Sequence, residues 1–117
     1  MDKILAPRIE SKAISKYIRI SPSKIRRVAD QIRGKDYKEA LILLEFLPYT
    51  CCLPLIKVLR SAAANAQHNH GVYQTSLNIK KVIVDKGPVM RRMRPRARGR
   101  AYSILKATSH VTIILTA

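Results

Sequence analysis

The sequence predicts one domain that combines three helices with β-strands and carries a long basic arm. A length of 117 residues suits a single domain, and 47% apolar residues are enough to form a core. Helix start and stop signals recur three times before residue 72, and no linker divides the chain. Two β-prone runs, Val82–Val84 and Val111–Leu115, flank a segment with six arginines and few core-forming residues. This segment predicts an arm that another molecule neutralises.

The formal net charge of +16 predicts a polyanionic partner, with nucleic acid first and an anionic membrane second. No apolar run approaches the roughly 18–20 residues of a membrane helix, so no membrane span is expected. The first residues are followed by Pro7, Arg8 and Glu10, which is not the pattern of a signal peptide. The cysteines Cys51 and Cys52 are adjacent, which excludes a disulfide scaffold and favours a reducing compartment.

The first elements predicted along the chain are a strand and a helix. Residues 12–20 alternate weakly and indicate an edge strand with Ile14, Ile18 and Ile20 on one face. Ser21-Pro22 then marks a helix start, with serine as N-cap, and Gly34 marks its end. The expected apolar stripe of this helix is Ile25, Val28, Ala29 and Ile32. On one helix such cations usually form a solvated face, but the excess of positive charge over the whole chain favours contact with a polyanion; they are Lys24, Arg26, Arg27 and Arg33.

Two more helices follow. Asp36 with Glu39 resembles a capping box before a helix that runs from Tyr37 to about Phe46. Its residues spaced for burial are Ala40, Leu41, Leu44 and Leu47, and Ile42, Leu43 and Phe46 widen the apolar face, so burial on most sides is expected. The third helix begins near Leu53-Pro54 and ends at about His70 before Gly71, with Ile56, Leu59, Ala63 and Ala66 at helical spacing. Residues 61–66 have small side chains, which allow a sheet or another helix to approach this helix closely.

The C-terminal part predicts strands and a hairpin. Residues 72–76 indicate a polar loop, and the pairs Leu77/Ile79 and Val82/Val84 are out of phase, which predicts a β-bulge at Lys80-Lys81. Gly87-Pro88 permits a bend, after which the chain runs to a turn at about 93–99 and returns into the strand 111–115. The arm therefore covers about 82–111. One side of the arm, from Val84 to about Arg96, has some twelve residues, so at roughly 3.3 Å per residue the arm could reach about 40 Å from the body.

Catalysis and metal binding are both disfavoured. His68 and His70 are not neighbours on a helix, and no third ligand is near in sequence, so they predict a helix end and no metal site. Cys51 and Cys52 predict small apolar fillers of the core. Asp85 is the only acidic residue after Glu45, which leaves little for carboxylate chemistry. No catalytic residue, metal or cofactor is expected.

The arginine arm remains as the candidate functional feature. Arginine presents a planar fork of donors that matches phosphate oxygens and stacks on bases. An extended arginine-rich hairpin fits a groove walled by nucleic acid on several sides. One alternative is an architectural DNA-binding protein with a basic β-arm and Pro95 as a wedge. A cationic membrane-surface protein is a weaker alternative, because the arginines do not concentrate on one amphipathic helix.

Several stretches carry a resemblance to a known family. Arg91-x4-Arg96-Ala97-x-Gly99-Arg100, then nine residues and His110-Val111-x-Ile113-x-Leu115, resembles the signature of large-subunit ribosomal protein twenty-two. Residues 21–29 with 32–34, the run 61–66, and Val84-Asp85-x-Gly87-Pro88 agree in the same order. The resemblance covers the chain from about Ile14.

The resemblance implies an α+β domain of three helices on a small antiparallel sheet, with a hairpin that extends through ribosomal RNA. It implies a structural constituent of the large ribosomal subunit, without enzymatic activity, that binds 23S-type RNA, contacts neighbouring ribosomal proteins and supports assembly. The tip, expected to line the polypeptide exit tunnel beside the nascent chain, comprises Met90, Arg91, Arg92, Met93, Arg94, Pro95 and Arg96. The expected RNA contacts are Lys24, Arg26, Arg27, Arg33, Lys80, Lys81, Lys86, Arg98, Arg100, Lys106, Ser109 and His110. At residues 108–110, between arm and body, hydrogen bonds to RNA or to backbone are expected.

The compartment is a further expectation. Leu47-Pro48-Tyr49-x-Cys51 and Leu53-Pro54 look more like plastid-encoded members than bacterial ones. No transit peptide is recognised, which agrees with synthesis inside the organelle, whereas the C-terminal tail of several plastid members is not found after Ala117. The chloroplast stroma is therefore expected, with a bacterial cytoplasm as the alternative.

Overall fold

A computed structural model describes residues 10–71, 77–95, 99 and 101–116, with backbone alone for Arg92, Arg94 and 101–104. Within these residues three helices and five strands follow one another. Their order is β1 (Glu10–Ile18), α1 (Pro22–Ile32), α2 (Tyr37–Phe46), α3 (Cys52–His70), β2 (Asn78–Lys86), β3 (Met90–Pro95), β4 (Ala101–Lys106) and β5 (Ser109–Thr116). The predicted loop at 72–76 lies outside the described residues. The expected α+β fold, three helices on a small antiparallel sheet with a hairpin, is confirmed.

The strands form two antiparallel sheets. The first has the order β1-β5-β2, so the C-terminal strand β5 is central and β1 is an edge strand, as predicted. Ile113 of β5 pairs with Ala13 on one side and with Val82 on the other. The second sheet is the hairpin of β3 and β4, which runs in register from Met90–Lys106 to Pro95–Ala101. The chain leaves the first sheet after Lys86 and returns to it at Ser109.

The core lies between the three-stranded sheet and the helices. The inward residues of β5 alternate strictly along the strand and have no exposed surface; they are Val111, Ile113 and Leu115. The predicted stripe of α1 is confirmed, because its four residues are at most 1% exposed. The register of β2 shifts between Ile79 and Lys81, which confirms the predicted bulge and keeps Ile79 and Val82 on the buried face.

The face assigned to β1 from its sequence is wrong. Ser11 and Ala13 point into the core, whereas Ile14 is 49% exposed. A register shift between Ser15 and Ile18, with Tyr17 at a φ of 59°, changes the face that points inward. After this shift in the chain, Ile18 and Ile20 pack against the core. The isoleucines therefore do not form one continuous face.

Close packing against α3 explains why β1 turns small residues inward. The Ser11 hydroxyl donates to the Ala62 carbonyl at 2.6 Å, and Asn65 Nδ2 donates to the Lys12 carbonyl at 3.0 Å. Larger side chains would separate the helix from the strand. Ala62, Ala63 and Ala66 are fully buried. The predicted close approach at residues 61–66 is thus confirmed, and the neighbour is the sheet.

Two expectations about α2 are wrong. Ile42 is 56% exposed and Phe46 is 83% exposed, because the helix packs on α1 and α3 along one side. The Asp36 side chain makes no capping hydrogen bond. The first helical N–H, that of Tyr37, instead donates to the Leu77 carbonyl at 3.1 Å, and Asp36 forms a β-bridge with Asn78. Ser21 likewise lies at the N-cap of α1 without a side-chain capping bond.

The molecule is strongly elongated. Its principal extents are 75 × 27 × 27 Å, and its radius of gyration is 18.1 Å. A compact domain of this length would have a radius of gyration of about 13 Å. The difference indicates that part of the chain lies well outside the body.

Candidate nucleic-acid interface

Positive charge is spread over the chain, but negative charge is concentrated in its first half. Six of the seven acidic residues precede α3, and the seventh is Asp85 in β2. The hairpin strands β3 and β4 contain no acidic residue. Its charge must therefore be compensated by another molecule.

Helix α1 carries two kinds of cation. Lys24 and Arg27 are exposed. Arg26 Nη2 donates to the Val84 carbonyl at 2.9 Å, and Arg33 Nη2 donates to the Val82 carbonyl at 2.8 Å. Arg26 and Arg33, although partly exposed, thus bind their own body, a role that the sequence analysis missed.

These two arginines complete the protection of the outer edge of β2. Nearer its start, the Leu77 carbonyl accepts from the Tyr37 N–H, and the Ile79 N–H donates to the Lys35 carbonyl at 2.9 Å. Backbone groups of the α1–α2 connection thus cover the first part of the edge, and arginine side chains cover the second. An unprotected edge would invite pairing with another chain.

Lysines predicted to contact RNA lie at the surface of the strands. Lys81 and Lys86 of β2 and Lys106 of β4 are exposed. Lys80, the extra residue of the bulge, forms an ion pair with Glu10 of β1 across the sheet face. Its charge is therefore partly satisfied inside the protein. Such exposed pairs contribute little to stability, typically under about 1 kcal/mol.

The hairpin formed by β3 and β4 has no core of its own. Met93 is 67% exposed and Leu105 is 63% exposed. Arg91 and Pro95 are also exposed, on the same strand as Met93. An isolated two-stranded hairpin is marginally stable in water. This one therefore requires a surrounding molecule to hold it in an extended form.

The expected tip and shaft are only partly described. Met90 is half-buried at the base of β3, and the backbones of Arg92 and Arg94 belong to the same strand. The predictions for Arg96, Arg98 and Arg100 lie outside the described residues, as do residues 96–98 of the predicted turn. Gly99, with a φ of 73°, adopts the left-handed conformation that glycine tolerates best.

A hydrogen-bonded junction fixes the base of the hairpin to the body. The Gly87 N–H donates to the Thr108 carbonyl at 2.9 Å, and the Thr108 hydroxyl donates to the Pro88 carbonyl at 2.5 Å. Ser109 is fully buried, and its hydroxyl donates to the Ile20 carbonyl at 2.5 Å. The expected backbone hydrogen bonds at this junction are confirmed. Ser109 serves the fold and presents no hydroxyl at the surface.

His110 is the member of the junction that remains accessible. Its Nδ1 accepts from the Tyr17 N–H at 3.0 Å, and the two rings meet edge to face with centroids 5.0 Å apart. Tyr17 is the residue of β1 with positive φ, so the histidine helps to hold this irregular position. The other imidazole nitrogen, Nε2, remains for an external partner.

The cysteines and histidines behave as core and helix-end residues. Cys51 and Cys52 are 5% and 2% exposed, which confirms them as fillers. Burial raises the pKa of the Cys52 thiol, so it stays protonated and unreactive. His68 and His70 lie in the last turn of α3. Among the described residues, no three metal-binding side chains cluster, and no helix is long and apolar enough to cross a membrane.

Comparisons with known proteins agree with this geometry. The model of the family described as Ribosomal protein L22p/L17e matches residues 13–116. The large ribosomal subunit protein uL22 of Synechococcus elongatus is 62% identical over 104 residues, which are 89% of each chain. The protein of the same name from Crocosphaera subtropica is 60% identical over 89% of this chain and 87% of its own.

A relative with a plastid-type name is similar to nearly the same extent. The large ribosomal subunit protein uL22c of Chlorokybus atmophyticus is 55% identical over 105 residues, which are 90% of this chain and 88% of its own. The family match covers both the helical body and the hairpin. The chain therefore belongs to the ribosomal protein L22p/L17e family.

Proposed function

We propose that this chain, a structural constituent of the large ribosomal subunit, binds the RNA of that subunit and supports its assembly. The hairpin would pass between RNA segments, and its tip would line the polypeptide exit tunnel beside the nascent chain. Like its relatives, the protein is structural and is not an enzyme. No described feature favours the alternative of an architectural DNA-binding protein, and the family disfavours it.

The observation that carries this proposal is a cationic hairpin without a core. It extends a 75 Å molecule whose other dimensions are 27 Å, with Met93 and Leu105 exposed on it. Arg91 pairs with Leu105 and Met93 with Ser103, so the two exposed apolar side chains share one face of the hairpin with Arg91. RNA packed around the hairpin would neutralise the arginines and cover these apolar side chains together.

The body supplies additional contacts. Lys24 and Arg27 on α1, with Lys81, Lys86 and Lys106, offer free cations to phosphate groups. Arg26 can contribute its remaining donors while it holds the edge of β2, whereas Arg33 also pairs through Nη1 with Asp30. Exposed apolar side chains on α2 and at the start of α3, Ile42 and Leu53, suit neighbouring large-subunit proteins.

The same relatives support a proposal about the compartment. Both cyanobacterial and plastid-type proteins are similar over most of this chain, which is consistent with a ribosome of a bacterium or a plastid. The Leu47-Pro48-Tyr49 segment supports the plastid as the narrower proposal, with a bacterial cytoplasm as the alternative.

Sedimentation with a tip deletion tests the proposal. The full chain should travel with large ribosomal subunits in cell extract, and a variant lacking 90–92 should do so too, because the body remains intact. The deletion should nevertheless change the reagent accessibility of RNA bases in the tunnel wall. Absence of the full chain from the subunits would refute the RNA-binding role. An unchanged wall would refute the placement of the tip.

A further inference from the structure

A cavity of about 240 Å³ lies on the body, between the start of α1 and the α2–α3 connection. Its lining is distant in sequence from the hairpin and includes Lys24 and Arg27, the exposed cations of α1 described above. Seven residues line it: Ile20, Lys24, Arg27, Val28, Tyr49, Thr50 and Cys51. None of the seven is acidic.

The lining divides into an apolar part and a charged part. Val28 and Cys51 are 1% and 5% exposed, so the interior of the cavity is apolar. Tyr49 is 54% exposed and offers an aromatic ring at the wall. Lys24 and Arg27 are exposed cations one turn apart on α1. An aromatic ring, an apolar interior and two cations therefore meet at one opening.

Local hydrogen bonds hold the wall in place before any ligand binds. The Tyr49 carbonyl accepts from the Cys52 N–H at 3.1 Å, and the Thr50 carbonyl accepts from the Leu53 N–H at 3.3 Å. Cys51 Sγ lies 3.8 Å from the Lys24 carbonyl, which joins the connection to α1. A preformed wall lowers the entropic cost of binding.

We infer that this cavity receives the base of one unpaired RNA nucleotide, stacked on Tyr49, with its flanking phosphates on Lys24 and Arg27. Proteins that recognise unpaired RNA stack its bases on aromatic rings and guanidinium planes. The volume is below the roughly 300 Å³ at which pockets for drug-sized ligands begin, and it suits a single ring system. The inference rests on the proposed RNA binding and adds a mode of recognition.

Double-stranded RNA and protein are less suitable occupants. A duplex presents phosphates and hydroxyl groups and keeps its bases stacked, so it would use the cations and leave the apolar interior empty. A protein side chain could enter the interior, but two cations and no acid at the rim favour an anionic partner.

Binding of the full-length chain to three RNA probes tests the inference. The probes are a single strand of about twelve nucleotides, the same strand with abasic sugars, and the corresponding duplex. The variants are Tyr49→Ala and Tyr49→Phe, and the control is Phe46→Ala, an exposed aromatic residue outside the cavity lining. Fluorescence anisotropy gives each Kd, and circular dichroism verifies that each variant folds.

Stacking predicts that Tyr49→Ala weakens binding of the base-bearing single strand about tenfold, within the range known for base–aromatic stacking. Tyr49→Phe should restore it, and the abasic strand, the duplex and the Phe46→Ala control should change less than about twofold. Equal losses on all probes, or no loss, would overturn the inference. So would a Tyr49→Ala chain that binds RNA normally but fails to enter large subunits, since a protein would then occupy the cavity.

The proposed function can be judged separately from the cavity. It fails if the unmodified chain does not travel with large subunits, whatever the Tyr49 variants do. If the Tyr49→Ala chain binds every probe like the unmodified protein, the inference about the cavity is refuted and the proposed RNA-binding role still stands.

Discussion

Arg26 and Arg33 lie two helical turns apart on α1 and reach alternate carbonyls of β2. Strand carbonyls two residues apart point in the same direction, so Val82 and Val84 present theirs to the same outer edge. A spacing of seven residues keeps both arginines on one side of the helix. Arginine suits this role because its planar fork carries several donors: Arg33 binds the Val82 carbonyl through Nη2 and Asp30 through Nη1.

Substitution of these arginines should lower stability, whereas substitution of Arg27 should lower RNA affinity. Arg26→Met and Arg33→Met each remove a hydrogen bond to an edge carbonyl, so each should reduce the free energy of unfolding by about 1 kcal/mol. Arg33→Met also removes an exposed ion pair with Asp30, which adds little to the effect. Arg27→Met should change it by less than about 0.5 kcal/mol. Urea unfolding measures all three. Equal stability of the Arg26, Arg33 and Arg27 variants would contradict the edge-protecting role.

The sequence could not separate these cations from one another. Lys24, Arg26, Arg27 and Arg33 all follow from the helical pattern as surface residues, and that prediction is correct. Which of them turns back depends on where β2 lies beside α1. That position is set by contacts between segments about 50 residues apart, which no local pattern contains.

At the scale of elements, the junction at Gly87 and Thr108 decides the direction in which the hairpin leaves the body. A Cβ atom on Gly87 would lie 2.5 Å from the Thr108 hydroxyl and 3.2 Å from the Thr108 backbone. That hydroxyl cannot rotate away freely, because it donates to the Pro88 carbonyl. The glycine is required here for close approach of two chain segments.

Gly87→Ala should therefore destabilise the protein by about 1–3 kcal/mol, as overpacking does in a dense core. Thr108→Ala alone should lower the free energy of unfolding by about 1 kcal/mol, because the hydrogen bond to the Pro88 carbonyl is lost. The double variant should be more stable than the sum of the two effects predicts, because alanine at 108 removes the nearest clash. Thermal unfolding of the double-mutant cycle measures the coupling. If the two effects simply add, the contact between residue 87 and the Thr108 hydroxyl does not cause the destabilisation by Gly87→Ala.

Elements with strong local signals were predicted well. The stripe and the ends of α1 match their prediction, and the bulge in β2 follows from the phase change at Lys80-Lys81. The inward face of β1 was predicted wrongly, because the bulge at Tyr17 interrupts its alternation and α3 admits only small residues. The exposure of Phe46 was also missed, since apolar periodicity alone does not reveal how many neighbours a helix has.

The charged part of the candidate site could be predicted from the sequence, whereas the cavity, which depends on the folded shape, could not. The basic hairpin follows directly from composition and β-prone flanks. The cavity beside Tyr49 does not, because α1 and the α2–α3 connection meet only in the folded chain. Tyr49 stood out in the sequence only as part of a plastid-like segment.

For the whole molecule, charge and shape lead to one expectation about affinity. A chain of net charge +16 that binds RNA through lysines and arginines releases counterions from each phosphate that it neutralises. The logarithm of affinity should fall steeply with the logarithm of salt concentration, by about 0.7–0.9 per phosphate. Arg27→Met should make the slope shallower by one such step, whereas Phe46→Ala should not change it. A flat salt response would contradict an electrostatic interface.

Crosslinking from the hairpin inside assembled ribosomes tests its placement most directly. A photoreactive amino acid replaces Met93, which is 67% exposed on the hairpin, or as a control Phe46, which is 83% exposed on the body. Both labelled chains should enter the large subunit. In ribosomes with a stalled nascent chain, position 93 should crosslink to large-subunit RNA and to the nascent chain, and position 46 should not reach the nascent chain. If position 93 crosslinks to neither, although the chain is present in the subunit, the hairpin does not line the tunnel.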